Sequence, residues 1–190
     1  EALDYVFNCD LIYEKNTKIV YSDIGFILLG LIVEEVEKMP LNQFALANIF
    51  KPLAMKDTMY KPTHKELCAP TEARYDNIYQ GIVRGDVHDE KAYILGGVAG
   101  HAGVFSTVQD VGNFIEMILN KGVYQDQRIL SKATIDLFFK PQVVVKQGIS
   151  LDYDFRSLGW INKGMMSSSG DLTSDETIQH TGFTGTNIFI

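Results

Sequence analysis

Tyr21-Ser22-Asp23-Ile24-Gly25-Phe26-Ile27-Leu28-Leu29-Gly30-Leu31-Ile32-Val33-Glu34-Glu35 places three polar residues at the head of the longest apolar run in the chain. Ile24, Ile27, Leu28, Leu31 and Ile32 recur at helical spacing, while Phe26, Leu29 and Val33 fill the opposite side. Apolar residues on nearly every side predict a helix buried on most faces. Gly25 and Gly30 each cost about 1 kcal/mol relative to alanine inside a helix, so close packing is expected at both. Ser22 or Asp23 stands where an N-cap belongs. Tyr21, Ser22 and Asp23 therefore sit at the positive end of a helix rooted in the core, a rigid mount suited to a catalytic group. The plainer reading is an ordinary buried helix with an ordinary cap.

Length and composition narrow the field. At 190 residues, 46% hydrophobic and 22% charged, the chain is globular in composition and has room for one large domain or two small ones. A formal charge of -7 argues against nucleic acid as the main partner, because phosphate binding needs a basic face. The run Ile24–Val33 is about half of the roughly 20 residues a membrane helix needs. Cys9 and Cys68 are read as two free, packed thiols. The chain opens without a leader-like pattern and stops inside the strand-like Asn187-Ile188-Phe189-Ile190, so a piece of a longer protein is expected.

Outward from the central helix, Lys15-Asn16-Thr17-Lys18 reads as a polar turn, and Met39-Pro40 marks a break. A second helix is expected over Leu41–Phe50 and a long irregular loop from Pro62 to Val87. Leu95-Gly96-Gly97-Val98-Ala99-Gly100-His101-Ala102-Gly103 carries four glycines in nine residues, a density that means tight turns and close backbone approach. Ser106 or Thr107 caps a helix ended by Lys121-Gly122, and a further helix covers Ser131–Phe139. From Val143 the texture turns to strand: Val143–Val145, Leu158–Ile161, Ile178–Thr181 and Asn187–Ile190, with a Ser/Gly-rich turn over Met165–Thr173. The expected organisation is a mainly helical part, 1–140, and a sheet part, 141–190.

Single candidates for chemistry are weak. His88, Asp89, Glu90 and His101 could be imagined around a metal, but helical metal-ligand spacing such as HExxH is lacking, and a solvated charged loop is the better reading. No GxSxG nucleophile elbow occurs. Three features do fall in order: a Tyr-x-Asp at a helix start, a glycine-rich turn before a capped helix, and His180-Thr181-Gly182-Phe183-Thr184-Gly185 at a strand.

On those three stretches the chain resembles the serine β-lactamase and penicillin-binding protein superfamily, in the class C-like branch of esterases, D,D-peptidases and muropeptide amidases. Tyr21-Ser22-Asp23 looks like a variant of that branch's Tyr-x-Asn. His180-Thr181-Gly182 fits its Lys/His-Thr/Ser-Gly, and Gly97–Thr107 is similar in texture. The remaining signature, Ser-x-x-Lys, does not occur in the 190 residues.

The resemblance implies an α+β fold: a helical subdomain beside an antiparallel sheet, of which this chain holds part. It implies a serine acyl-enzyme mechanism on an amide or ester, with a β-lactam or peptidoglycan-derived peptide as substrate, no cofactor or metal, and an extracytoplasmic location. Tyr21 would shuttle the proton beside the lysine of the Ser-x-x-Lys segment. Asp23, where asparagine is commoner, would bond that lysine or a substrate amide, unless it only caps the helix. His180 stands where lysine is frequent, so binding of an anionic group would be weaker or pH-dependent. Thr181 would offer a hydroxyl, Gly182 close approach to the strand, and the Phe183 N–H one oxyanion donor. His101 would line the pocket or serve structure alone. Without a nucleophile, these residues by themselves are expected to be inactive, and an exposed edge strand at the C-terminus could support a dimer. A binding or sensing module of the same fold is the rival reading.

Overall fold

The structure, a computed structural model, describes residues 2–14, 17, 20–146, 153–164 and 168–190. It has two compact units, Glu1–Val111 and Gly112–Ile190. The change from helical to strand texture near residue 140 falls within the second unit. Of the polar turn expected at 15–18, only Thr17 is described; its N–H and its hydroxyl both donate to the Glu14 carbonyl.

In the first unit, α1 covers Ala2–Asn8 and α2 covers Asp23–Glu37. Ser22 is extended and its Oγ accepts from the Gly25 N–H at 3.3 Å, so Ser22 is the cap and Asp23 the first helical residue. Lys38, left-handed at φ 54°, ends the helix. Of its side chains Ile27 is buried, but Phe26, Leu29, Ile32 and Val36 are 43, 54, 56 and 69% exposed. The expectation of burial on most faces therefore fails.

The glycine, rather than the large side chains, marks the covered face. A Cβ on Gly30 would stand 3.1 Å from the Gly100 Cα, and one on Gly100 would overlap the Phe26 carbonyl. Two backbones meet there, and only hydrogen at Cα permits it. Gly25 has no such neighbour; the nearest atoms lie 3.9 Å away, on its own cap Ser22.

Pro40 leads into α3, Leu41–Ala45, which widens without interruption into a π-helical turn over Leu46–Phe50 and carries Phe50 into the core with Leu53 and Met55. β1, Met59–Tyr60, pairs antiparallel with Val104–Phe105 beyond the glycine-rich turn. The irregular loop expected from Pro62 to Val87 instead contains a hairpin, β2 (Ala73–Tyr75) and β3 (Gln80–Ile82). Its turn rests on Asp76, whose Oδ1 accepts from the Ile78 and Tyr79 N–H groups at 2.7 and 2.8 Å. An aspartate bonding the backbone two residues on shapes a turn without help from glycine.

α4 covers Glu90–Ile94, β4 is the Val104–Phe105 strand, and α5 covers Val108–Leu119, with Thr107 Oγ1 accepting from the Asp110 N–H. Asp110 is buried; its Oδ2 accepts from the Asp57 N–H at 2.7 Å and from the Thr58 hydroxyl at 2.8 Å, pinning the approach to β1 onto the helix start.

In the second unit Met117, Ile118, Tyr124, Ile135 and Ile178 form the buried core. β5 (Val123–Tyr124) and β6 (Gln127–Arg128) make a tight hairpin through Gln125 and Asp126, both at positive φ. α6, Lys132–Phe139, falls within the helix expected over Ser131–Phe139, and Ser131 is its cap. Five antiparallel strands then follow in chain order: β7 (Val143–Lys146), β8 (Tyr153–Arg156), β9 (Ile161–Asn162), β10 (Ile178–Thr181) and β11 (Asn187–Phe189). β11 is one edge of that sheet. Leu158 to Trp160 is a turn rather than strand, closed by the Ser157 N–H on the Trp160 carbonyl. The Ser/Gly turn expected at Met165–Thr173 is described from Ser168; 165–167 lie outside the described residues.

Candidate active site

Tyr21 is 72% exposed at the head of α2, one residue before the cap. Asp23, in the first turn, is held by a residue far along the chain: Lys91 Nζ donates to Asp23 Oδ2 at 2.9 Å. That bond is the main reason the Lys91 ammonium is held above its ordinary range, and the charge of Asp23 adds to it.

Lys91 stands in the first turn of α4. Asp89, the cap of that helix, accepts from the Ala92 N–H at 2.8 Å and, on the same oxygen, from His101 Nε2 at 2.7 Å. Burial pushes the Asp89 carboxyl up, but these two donors outweigh it and leave the group below the usual carboxylate range. One helical turn thus grips two expected site residues, Asp23 through Lys91 and His101 through Asp89. His101 is 95% shielded in its side chain, which is 5% exposed. Its Nδ1 is buried without a hydrogen-bond partner among the described residues.

The turn is itself supported from behind by the hairpin. Arg74 on β2, with a side chain only 10% exposed, donates to the His88 carbonyl at 3.1 Å and pairs with Glu90 at 3.2 Å and Asp76 at 2.6 Å. Arg74 and Lys91 were not singled out by the sequence, and Asp89 figured there only in the metal quartet. The available signals were slight: a cap pattern at Asp89, and an aspartate at position 23 that calls for a nearby cation.

The metal-type residues are arranged differently from the quartet drawn from sequence. His88 faces Thr71 and Glu72, and Glu90 faces Arg74. Among the described residues, Asp23, Asp89 and His101 are the group whose donor atoms lie within 4.8 Å of one another. Lys91 already occupies the Asp23 carboxylate, so a cation there would have to displace an ammonium.

The second unit carries the other motif by itself. His180 and Thr181 end β10, paired with Ile188 and Asn187 of β11, while the β9 ladder reaches only Ile178 and Gln179. His180 Nδ1 lies 2.9 Å from the Thr181 carbonyl. Gly182 donates its N–H to the Thr186 carbonyl at 2.6 Å, and Gly185 returns an N–H to Gly182 at 3.1 Å. Phe183 sits at the tip, 94% exposed. The atom nearest a Cβ at Gly182 would be Thr186 Oγ1, so within this hairpin the glycine makes room for that hydroxyl.

The Tyr-x-Asp thus stands at a helix start in the first unit and the His-Thr-Gly at a strand end in the second. The sequence profile of the Beta-lactamase family matches residues 1–190, and the chain belongs to that family. An N-acetylmuramyl-L-alanine amidase of Bacillus subtilis (strain 168) is 36% identical over 203 residues, covering 98% of this chain and 44% of that protein. A Salmonella agona (strain SL483) protein named "Putative D-alanyl-D-alanine carboxypeptidase" is 33% identical over 202 residues, covering 97% of this chain and 45% of the relative. The chain spans less than half the length of these curated relatives. A solved penicillin-binding protein homologue from Caulobacter crescentus superposes with a TM-score of 0.69 at 13% identity, over 99% of this chain and 53% of that one; it bears on the fold alone. The fold is α+β, of the β-lactamase and transpeptidase type. No described helix is long and apolar enough to cross a membrane.

Proposed function

We propose that this chain is the portion of a serine hydrolase that carries the tyrosine and His-Thr-Gly motifs, and that the complete protein cleaves an amide or ester in peptidoglycan-derived peptides. The observation that carries the reading is the mounting of Tyr21-Ser22-Asp23 on a capped helix, with Asp23 fixed by Lys91. The names of the amidase and carboxypeptidase relatives support the substrate class.

In this mechanism a serine outside these residues attacks the acyl carbon, and its proton passes by way of Tyr21 to the leaving amine or alkoxide. Water then attacks the acyl-enzyme, giving its proton back along the same route to the serine. Asp23 orients groups around Tyr21, and His101 shapes the turn beside it. His180 and Thr181 bind the substrate at the strand, Gly182 keeps that strand approachable, and the Phe183 N–H serves as one of two oxyanion donors. The 190 residues alone are expected to be inactive. Neither a cofactor nor a metal enters any step.

The test is muropeptide cleavage by the complete protein, followed by mass spectrometry, with Tyr21→Phe alongside. Cleavage that Tyr21→Phe slows by at least about tenfold is expected; unchanged cleavage would remove Tyr21 from the mechanism. The rival reading is a binding or sensing module of the same fold. It predicts muropeptide binding without turnover.

A further inference from the structure

The first turn of α4 gathers carboxylates beside the tyrosine motif. Asp89 is the cap, Glu90 the first helical residue, and Lys91 reaches Asp23 from the same turn. Each carboxylate has a partner: Arg74 pairs with Glu90 as well as with Asp76, His101 hydrogen-bonds Asp89, and Lys91 pairs with Asp23. Lys91 also feels the charges of Asp89 and Glu90. The Lys91 and Asp23 side chains are 58 and 32% exposed, so both are open to solutes. In a chain of net charge -7, an uncompensated carboxylate two residues from Tyr21 would repel an anionic substrate.

We propose that Lys91 is a specificity-determining positioning residue: it neutralises Asp23, so that an aspartate in the tyrosine motif accommodates peptides bearing a free carboxylate. The role rests on the hydrolase reading for its substrate, but on the Asp23–Lys91 geometry for its mechanism. Lys91 acts through Asp23 and is not itself the anchor of the substrate carboxylate. This makes a specific demand: removing both charges together must be better tolerated than removing the lysine alone.

The experiment uses the complete protein and two versions of one muropeptide stem, with a free C-terminal carboxylate or a C-terminal amide. Both kcat/KM and equilibrium Kd are measured for wild type, Lys91→Gln, Lys91→Arg and the Asp23→Asn/Lys91→Gln double variant. For Lys91→Gln, preference for the carboxylate peptide over the amide should fall about tenfold, in Kd as in kcat/KM. The arginine variant should keep the preference, and the double variant should recover it to within about threefold of wild type. An unchanged preference, equal loss of both peptides, or a double variant as poor as Lys91→Gln would overturn the role. Kd separates the two claims. Binding preference that shifts as described, without turnover of either peptide, would sink the hydrolase reading and leave the Lys91 role standing. Turnover with no charge discrimination would do the reverse.

Discussion

The two motifs are held in opposite ways. Tyr21-Ser22-Asp23 depends on partners remote in the chain: Lys91 lies 68 residues from Asp23, and the helix behind it backs onto Gly100. His180 to Gly185 depends on its own hairpin, with the Gly182 and Gly185 bonds closing within four residues and β11 pairing directly across. The first motif is therefore as sound as the packing of the whole first unit. The second is carried by local backbone geometry. Damage should spread in the one and stay local in the other.

The largest effect is expected where two backbones touch. Gly100→Val would drive a side chain into the Phe26 carbonyl and should cost about 3 kcal/mol or more, lowering the melting temperature and the activity together. Gly25→Ala is the contrast on the same helix, since nothing crowds that position; it should be neutral or stabilising by up to about 1 kcal/mol. If both behave alike, close packing of α2 on the glycine turn is not what fixes the first motif.

Next comes Asp110→Ala, which takes the side-chain acceptor from the Asp57 N–H and leaves the buried Thr58 hydroxyl with Ser106 Oγ in place of two side-chain partners. A loss of about 2–3 kcal/mol by denaturant unfolding is expected. Gly185→Ala tests the local side: at φ 89° an alanine is strained by about 1–2 kcal/mol, and peptide turnover should fall without a matching fall in first-unit stability.

The smallest effect is a matter of pH. Asp89 has a lowered folded-state pKa, so its contribution is complete above the unfolded carboxylate value near 4 and is lost as the pH falls through the folded value. Asp89→Asn should therefore narrow the stability difference from wild type as the pH drops below about 4. A difference that widened on acidification would reverse the sign.

What could be seen in the sequence follows the same division. Ser22 and Ser131 announce their helices because a cap is a short-range device. β10 and β11 are visible as short β-rich runs beside glycine turns. The hairpin over 73–82 was hidden because Asp76, a side chain, replaces the expected turn glycine. β8 was missed because its alternation of apolar and polar residues runs over only four positions, Tyr153–Arg156. The apolar periodicity of α2 correctly signalled a helix but overstated its cover, since hydrophobicity reports what a face can bury and not what lies against it. Lys91 and Arg74 left little trace; the ion pair of Lys91 with Asp23 spans 68 residues and has no spacing rule.

The most direct test of the serine-hydrolase reading is intact-mass analysis of the complete protein after incubation with a penicillin and, separately, a fluorophosphonate. The 190-residue chain runs beside it as control. The expected result is a covalent adduct on a serine outside these 190 residues, formed at least about tenfold more slowly in Tyr21→Phe. A folded complete protein that takes up neither reagent would contradict the serine mechanism and leave the binding module as the better account.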